Sequence, residues 1–318
     1  MRVAISIVLA VLLAALAGLS GYASWNAERK APMIGKRVAV NGASLHVFET
    51  GNRQSALPPV VLIHGASVNL RDMEMSLGRA LAADRRVLMI DRPGRGYSER
   101  PVNGYQLDVQ SAYIHDAVQA LGYEKPLIVG QSLGGAVALN YALNYQDEIS
   151  GLVLLAPVSH EWPGGVAWYN SASEIPVIGF LLRRLVIPVY GYFVAEKGIA
   201  ESFAPDTPPP GYYERSGLAL LFRAGDFRNN AADIANLKSE IRKQQGRYGE
   251  LKLPVAILTG TSDSTVSPDI HSKALGREIA GASLKLLPDT GHALHHAETA
   301  AIVDVINGLS GAAEAGAP

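Results

Sequence analysis

The sequence predicts an α/β protein built on a mostly parallel sheet of eight strands with helices on both faces. Three observations predict it. From Lys36 onward, short and wholly apolar runs alternate with segments of helical periodicity, the pattern of strands buried on both faces by crossover helices. The alternation pauses between Pro157 and Glu250, then resumes for two more strands. A Gly-x-Ser-x-Gly segment, Gly130-Gln-Ser-Leu-Gly134, lies between one apolar run and a helix rich in small residues.

The N-terminus stands apart from this pattern. Between Val3 and Ser24 there is no charged residue, and Leu, Ala, Val and Ile dominate. About 20 such residues cross a bilayer as a helix, so 1–25 reads as an apolar helix serving as an anchor or a signal segment. Arg2 supplies the positive start of a secretory signal, and Gly21-Tyr-Ala23 offers small residues for cleavage. The run is long for a cleaved signal, which favours an anchor. Arg29, Lys30, Lys36 and Arg37 lie downstream against Arg2 upstream. The positive-inside rule then puts the domain in the cytoplasm, whereas a signal-anchor reading puts it outside, or in a periplasm or secreted if the segment is cleaved.

The elements follow in order. Arg37 to Thr50 reads as a hairpin turning at Asn41-Gly42. Pro59–His64 is a buried strand, Met73–Ala83 a helix and Arg86–Asp91 a strand. Asp108–Leu121 is an amphipathic helix with Val109, Ala112, Tyr113, Ala117, Val118 and Leu121 at helical spacing. Pro126–Val129 is the strand before Ser132, Gly134–Leu143 the helix after it, and Gly151–Ala156 the next strand. These make 36–157 the first part of the core. The stretch 158–250 holds Trp162, Trp168 and Pro208-Pro-Pro210, and apolar runs such as Ile175–Tyr192 suggest short helices broken by prolines. It reads as an inserted helical lid. The second part of the core, 251–310, carries a strand Pro254–Thr259, a helix from Pro268 to Ala280, a strand Ser283–Leu287 and a helix from His295 to Leu309. The Ala/Gly tail, 311–318, reads as flexible.

Composition narrows the function. With 28 basic and 29 acidic residues, nothing draws the chain to a nucleic acid. The absence of cysteine removes disulfides, thiolate metal sites and a cysteine nucleophile. No Gly-x-Gly-x-x-Gly opens a βαβ unit, so no nucleotide cofactor is expected. No His/Asp/Glu spacing suggests a metal site.

The serine segment is the chemical signal. A serine between such a strand and helix sits on a sharp turn with its hydroxyl projecting from the sheet edge, and the flanking glycines leave room for a strained backbone. A serine hydroxyl needs an adjacent base, and the base an orienting acid. Active groups gather at the carboxyl ends of parallel strands. Asp263 follows the strand ending at Thr259, and His292 follows the strand ending at Leu287. Asp289 competes as the acid but precedes a turn glycine and reads as a turn residue. Asp91 is a further alternative that more plausibly ties down the Arg92-Pro-Gly94 loop. His64 reads as structural, bonded to backbone near the turn that follows its strand. His295 and His296 are expected at the surface or facing the lid, and His115, His160 and His271 on solvated surfaces.

With His64-Gly65, Asp91-Arg-Pro-Gly-Arg-Gly-Tyr-Ser98, the serine elbow, Asp263 and His292 in this order, the chain resembles the α/β-hydrolase superfamily from about Lys36 to Leu309, in the serine-nucleophile branch with a helical lid after the sixth strand. The resemblance implies Ser132 as nucleophile, His292 as general base and then acid, and Asp263 as the residue that holds the imidazole tautomer. It implies an oxyanion hole from the backbone N–H groups of Leu133 and Ala66. Superfamily members acting on epoxides and haloalkanes carry an aspartate where this chain has Ser132. Serine points to acyl chemistry on a small-molecule carboxylic ester or thioester, with no cofactor. The apolar N-terminus and lid residues Trp162, Trp168, Phe180, Leu181, Leu182, Phe203 and Phe222 suggest a lipophilic substrate at a membrane, although most of these side chains suit a core internal to the lid. Amide or carbon–carbon bond hydrolysis, acyl transfer and perhydrolysis would use the same triad, and a catalytically silent binding module is the non-enzyme alternative.

Overall fold

In the computed structural model, which describes residues 2–173 and 175–315, eight strands form one sheet in the order β1-β2-β4-β3-β5-β6-β7-β8. β1 (Lys36–Val40) and β2 (Ala43–Gly51) form the expected hairpin, with Asn41 and Gly42 both at positive φ. β2 also pairs antiparallel with β4. β3 (Val60–Ile63), β4 (Arg86–Ile90), β5 (Leu127–Gln131), β6 (Gly151–Leu155), β7 (Val255–Gly260) and β8 (Ser283–Leu287) run parallel. Every residue of β3, β5, β6 and β7 is buried, which is why these strands read as continuous apolar runs. Two apolar layers cover the sheet. One packs Ile63, Ile128 and Leu154 against Ile114 and Val137, and the other packs Leu62, Val129 and Val153 against Leu77 and Ile302.

The N-terminal helix α1 spans Arg2–Lys30, longer than the segment 1–25 expected for it. Ala27 and Ala31 are buried against Leu220, so its end belongs to the folded body. α2 (Leu70–Met73), a π-turn at Glu74–Gly78 and α3 (Arg79–Leu81) make one bent helix after β3. It begins three residues earlier than predicted because Asn69 caps it, its side chain accepting from the Arg71 N–H at 3.0 Å. α4 (Leu107–Ala120) and α5 (Leu133–Tyr145) match the predicted helices closely.

Between β6 and β7 the chain folds into α6 (Trp168–Ala172), α7 (Pro176–Leu181), a π-turn at Leu182–Val186, α8 (Ile187–Phe203), α9 (Tyr212–Arg215) and α10 (Ala224–Gln244). Pro176 and Pro188 sit in the first turns of α7 and α8, where no intrahelical donor is needed. They start helices here rather than break them. After β7 come α11 (Ser272–Glu278), shorter at both ends than predicted, α12 (Leu294–Ala297) and α13 (Thr299–Ala315). The single predicted helix from His295 is thus two. α13 continues through Ala315, so the tail expected to be flexible from 311 is helical as far as 315, and 316–318 lie outside the described residues.

Candidate active site

Ser132 links β5 to α5 at φ 55°, ψ −121°, in the positive-φ region that a side chain rarely adopts. Backbone bonds on both sides hold it there. Its N–H donates to the Leu155 carbonyl at 2.9 Å, and its own carbonyl accepts from Gly135 N–H and Val158 N–H at 2.9 and 3.1 Å. Space is made by glycine: a Cβ at Gly134 would lie 2.4 Å from the Ile63 carbonyl oxygen. Leu133 is the first residue of α5, so its N–H belongs to the helix terminus, where no intrahelical acceptor exists.

The loops after β7 and β8 are laced together. Ser262 N–H donates to the Thr290 carbonyl at 3.0 Å, and Asp289 N–H to Thr261 Oγ1 at 3.0 Å. Asp289 has φ 52° and serves as the turn residue its sequence context predicted. The lacing brings Asp263 Oδ2 to 2.7 Å from His292 Nδ1. The other oxygen of Asp263 accepts from Thr265 N–H and Val266 N–H at 2.8 and 2.9 Å, which fixes the carboxylate. A carboxylate only accepts, so Nδ1 carries the proton and Nε2 offers a lone pair. That Nε2 lies 3.3 Å from the side-chain amide nitrogen of Gln131, the residue preceding Ser132. The imidazole therefore reaches the serine turn from the far end of the chain.

The turn after β3 lies beside β5 in register, with Ile63 opposite Gly130. A Cβ at Gly65 would fall 3.2 Å from the Ser132 Cβ, so this turn borders the serine. Arg92 holds it from behind. Its guanidinium donates to the His64 carbonyl at 3.0 Å and the Gly65 carbonyl at 3.1 Å, and pairs with Asp233 of α10 at 2.8 Å. His64 Nδ1–H also donates to the Gly65 carbonyl at 2.8 Å, while its Nε2 accepts from Arg92 N–H at 3.0 Å. In a trans peptide the N–H points opposite to the C=O. Capturing the Gly65 carbonyl therefore aims the Ala66 N–H away from Arg92. Asn230 of α10 completes the clamp, its Oδ1 accepting from Ser67 N–H at 2.7 Å, with Ser67 at φ 62°. Arg92, Asp233 and Asn230 were not singled out from sequence. Only Arg92 lay in a motif, and the other two come from the insertion, which carries no recognisable pattern.

The insertion also closes over the histidine. Asp206 accepts from Gly291 N–H at 2.8 Å, and a Cβ at Gly291 would lie 2.3 Å from the Ala204 carbonyl oxygen. Ser132 is 7% exposed.

The remaining histidines differ in part from expectation. His64 is structural, as predicted. Asp91 takes Leu70 N–H, Tyr97 N–H and the His46 Nδ1 at 2.8, 2.9 and 2.6 Å, tying down its loop. His271 is buried rather than solvated, because its Nδ1 accepts from the Ser159 and His160 N–H groups at 3.2 and 3.1 Å. His115 and His160 are half-buried, the former stacked 3.8 Å from the Tyr145 ring. His295 and His296 are not at the surface. Their Nε2 atoms each lie 2.8 Å from one oxygen of buried Asp72, which also accepts from Tyr212 Oη–H at 2.6 Å. No spacing in the sequence marks a metal site, yet Asp72, His295 and His296 form the one group of metal-capable ligand atoms among the described residues. The 2.8 Å spacings are those of hydrogen bonds. Burial alone would raise the Asp72 pKa, but the donors on its carboxylate hold it well below the usual carboxylate range, and they tie α2, α9 and α12 together.

Burial pushes the His64 pKa down to about 3 and that of His271 to about 4. Both stay neutral when folded between pH 6.5 and about 4, whereas unfolded imidazoles take up a proton there. The unfolded state binds more protons, so stability is full above pH 6.5 and falls as the pH drops. The slope is about 1.4 kcal/mol per pH unit for each histidine. Urea unfolding at pH 7, 6 and 5 should show the midpoint falling at each step, and a constant midpoint would contradict this.

The topology, the serine at its strand–helix turn and the Asp–His pair at the next strand ends agree with what comparison finds. Residues 58–174 match the family model described as the alpha/beta hydrolase fold. The chain is 26% identical to 2-hydroxymuconate semialdehyde hydrolase of Pseudomonas putida, covering 86% of this chain and 93% of that protein. The chain has the alpha/beta hydrolase fold, and the relatives it matches are hydrolases of that superfamily. The chain is also 24% identical to human monoacylglycerol lipase, over 74% of this chain and 70% of that one. An alpha/beta hydrolase fold protein from Burkholderia ambifaria shares the fold, with a TM-score of 0.71, 22% identity, and coverage of 86% of this chain and 97% of that one.

Proposed function

We propose that this hydrolase cleaves a lipophilic carboxylic ester, or a thioester, through an acyl-enzyme on Ser132. The observation that carries the reading is the Asp263–His292 pair, its Nε2 3.3 Å from the Gln131 side chain, beside a serine held at positive φ. His292 Nε2 takes the hydroxyl proton as Ser132 Oγ attacks the acyl carbon. The tetrahedral oxyanion is held by the N–H groups of Leu133 and Ala66, each worth about 2.7–4 kcal/mol in such holes. His292 then returns the proton to the leaving alcohol. Water, deprotonated by the same nitrogen, releases the acid, and Asp263 steadies the imidazolium in both steps.

Two observations favour an uncharged substrate. The buried cation behind the site, Arg92, is already committed to Asp233. One relative acts, by its name, on monoacylglycerol. A second reading, hydrolysis of a carbon–carbon bond, is favoured by the relatives named for hydroxymuconate semialdehyde. In either case 36–157 and 251–310 serve as the core, 158–250 as the lid, and α1 as a membrane anchor.

The test uses the full-length protein in detergent. A fluorophosphonate probe should label wild type but not Ser132→Ala. Turnover should rise from acetate to medium-chain esters. Failure to label would reject the serine mechanism, and a flat chain-length profile would reject a lipophilic substrate.

A further inference from the structure

We propose that the outer face of α7, its π-turn and α8 is a membrane-docking surface, inserted shallowly into the lipid bilayer beside α1, so that the insertion and not α1 alone seats the enzyme on the membrane. The first observation is where the apolar side chains of the insertion go. Trp168, Phe180 and Leu181, which suit a core internal to the lid, face outward. Val177 is 71% and Phe193 75% exposed, and Tyr190 and Ile178 stand beside them. The opposite face of α8 carries Ile187, Gly191, Ala195, Ile199 and Phe203 at helical spacing, all buried against the body. The helix is thus apolar on both sides, which water alone does not explain.

The occupant follows from continuity with α1. That helix has a mean hydropathy of 2.4 over its apolar window and is almost wholly exposed. Where it leaves that exposed stretch it packs against the π-turn and α8. Its inward residues there include Ser20, Ala23, Ser24 and Ala27, small enough for close helix contact. The junction is rigid. Glu28 pairs with Arg223 at 3.0 Å, and the Ala31 carbonyl accepts from Tyr97 Oη–H at 2.7 Å. With no slack between helix and body, a bilayer that holds α1 also meets α7–α8.

Charge agrees with this placement. From Ile175 to Ala195 the only charged residues are Arg183 and Arg184, with Glu174 before that stretch and Glu196 after it. Cationic residues flanking an apolar helix face suit a headgroup layer. Topology decides between lying on and crossing the bilayer. β6 and β7, on either side of the insertion, are parallel neighbours in one sheet. Among the described residues, the insertion holds one helix long and apolar enough to span. A single crossing would separate two adjacent strands by a membrane, so the helix lies in the interface.

The natural absence of cysteine makes the test direct. Single variants Val177→Cys, Phe193→Cys and, at an exposed position outside the insertion between β4 and α4, Val102→Cys carry an environment-sensitive fluorophore in the full-length protein. They are reconstituted in phosphatidylcholine vesicles with or without phosphatidylglycerol, with nitroxides placed at shallow or deep acyl positions. Labels at 177 and 193 should be quenched at least twofold more by shallow-nitroxide lipid than by deep, and the label at 102 by neither. Water-like emission at 177 and 193 without lipid quenching would overturn the proposal. So would blue-shifted emission without lipid quenching, which would mean a second copy of the chain covers the face. This readout needs no turnover, so it stands or falls separately from the ester-hydrolase reading. If that reading also holds, Val177→Asp combined with Phe193→Asp should lower turnover of a vesicle-borne ester at least tenfold and leave a water-soluble short-chain ester within twofold.

Discussion

Ser132→Ala and His292→Ala are each expected to leave a folded protein whose turnover of its best ester has fallen by roughly 10⁴–10⁶-fold, and the double variant to lose little more than either alone. The reason lies in shared work. Without the imidazole the hydroxyl stays a poor nucleophile, and without the hydroxyl the imidazole has no proton to move, so the second deletion removes nothing further. Asp263→Asn should cost about 10⁴-fold in kcat, because an amide in place of Oδ2 favours the tautomer with its proton on Nε2. Asp289→Asn should stay near wild type, since that residue turns the chain at φ 52° and bonds through its backbone to Thr261. The check is kcat/KM for the five proteins together with their urea midpoints. Additive losses in the double variant, or a collapse of Asp289→Asn with Asp263→Asn intact, would remove the proposed assignment.

Arg92→Met should damage both stability and chemistry. The guanidinium is fully buried and touches Asp233, Gln110 and the carbonyls of His64 and Gly65. Removing one partner of a buried pair costs about 3–5 kcal/mol. Arg100, 2.6 Å from the other oxygen of Asp233, should keep the loss near the lower figure. Arg92→Met combined with Asp233→Leu removes the stranded carboxylate and should recover much of the stability. Turnover should recover less than stability does, because the Gly65 carbonyl then keeps only its bond from His64 Nδ1–H and the Ala66 N–H is less firmly aimed. A double variant that regains both would show that Arg92 serves the fold alone.

The contrast between Arg92 and Ser132 shows which parts of this molecule are legible in one dimension. The parallel strands were, because burial on both faces leaves unbroken apolar runs such as Val60–Ile63 and Leu152–Leu155. The serine at a strand–helix turn and the Asp263–His292 pair were, because each of these residue types falls just past a strand end in a recognisable order. The surroundings of the site were not. Asp233 and Asn230 reach it from α10, more than 130 residues beyond Arg92 and Ser67, and no local pattern marks them. His295 and His296 were expected at the surface or facing the lid; His296 does meet Phe203 and Tyr212 of the insertion, and only the fold brings Asp72 to the pair. The outward aromatics of α7–α8 were invisible for a related reason. Periodicity reports that a helix has two apolar faces but not which one the body covers.

The seating of α1 has a practical consequence. Trimming the chain at residue 36 to obtain a freely dissolving enzyme would strip the cover from Leu220, leave Arg223 with Asp226 but without Glu28, and leave the Tyr97 hydroxyl without its acceptor. An expression boundary near Gly18, just ahead of buried Ser20, keeps those supports and sheds most of the greasy segment.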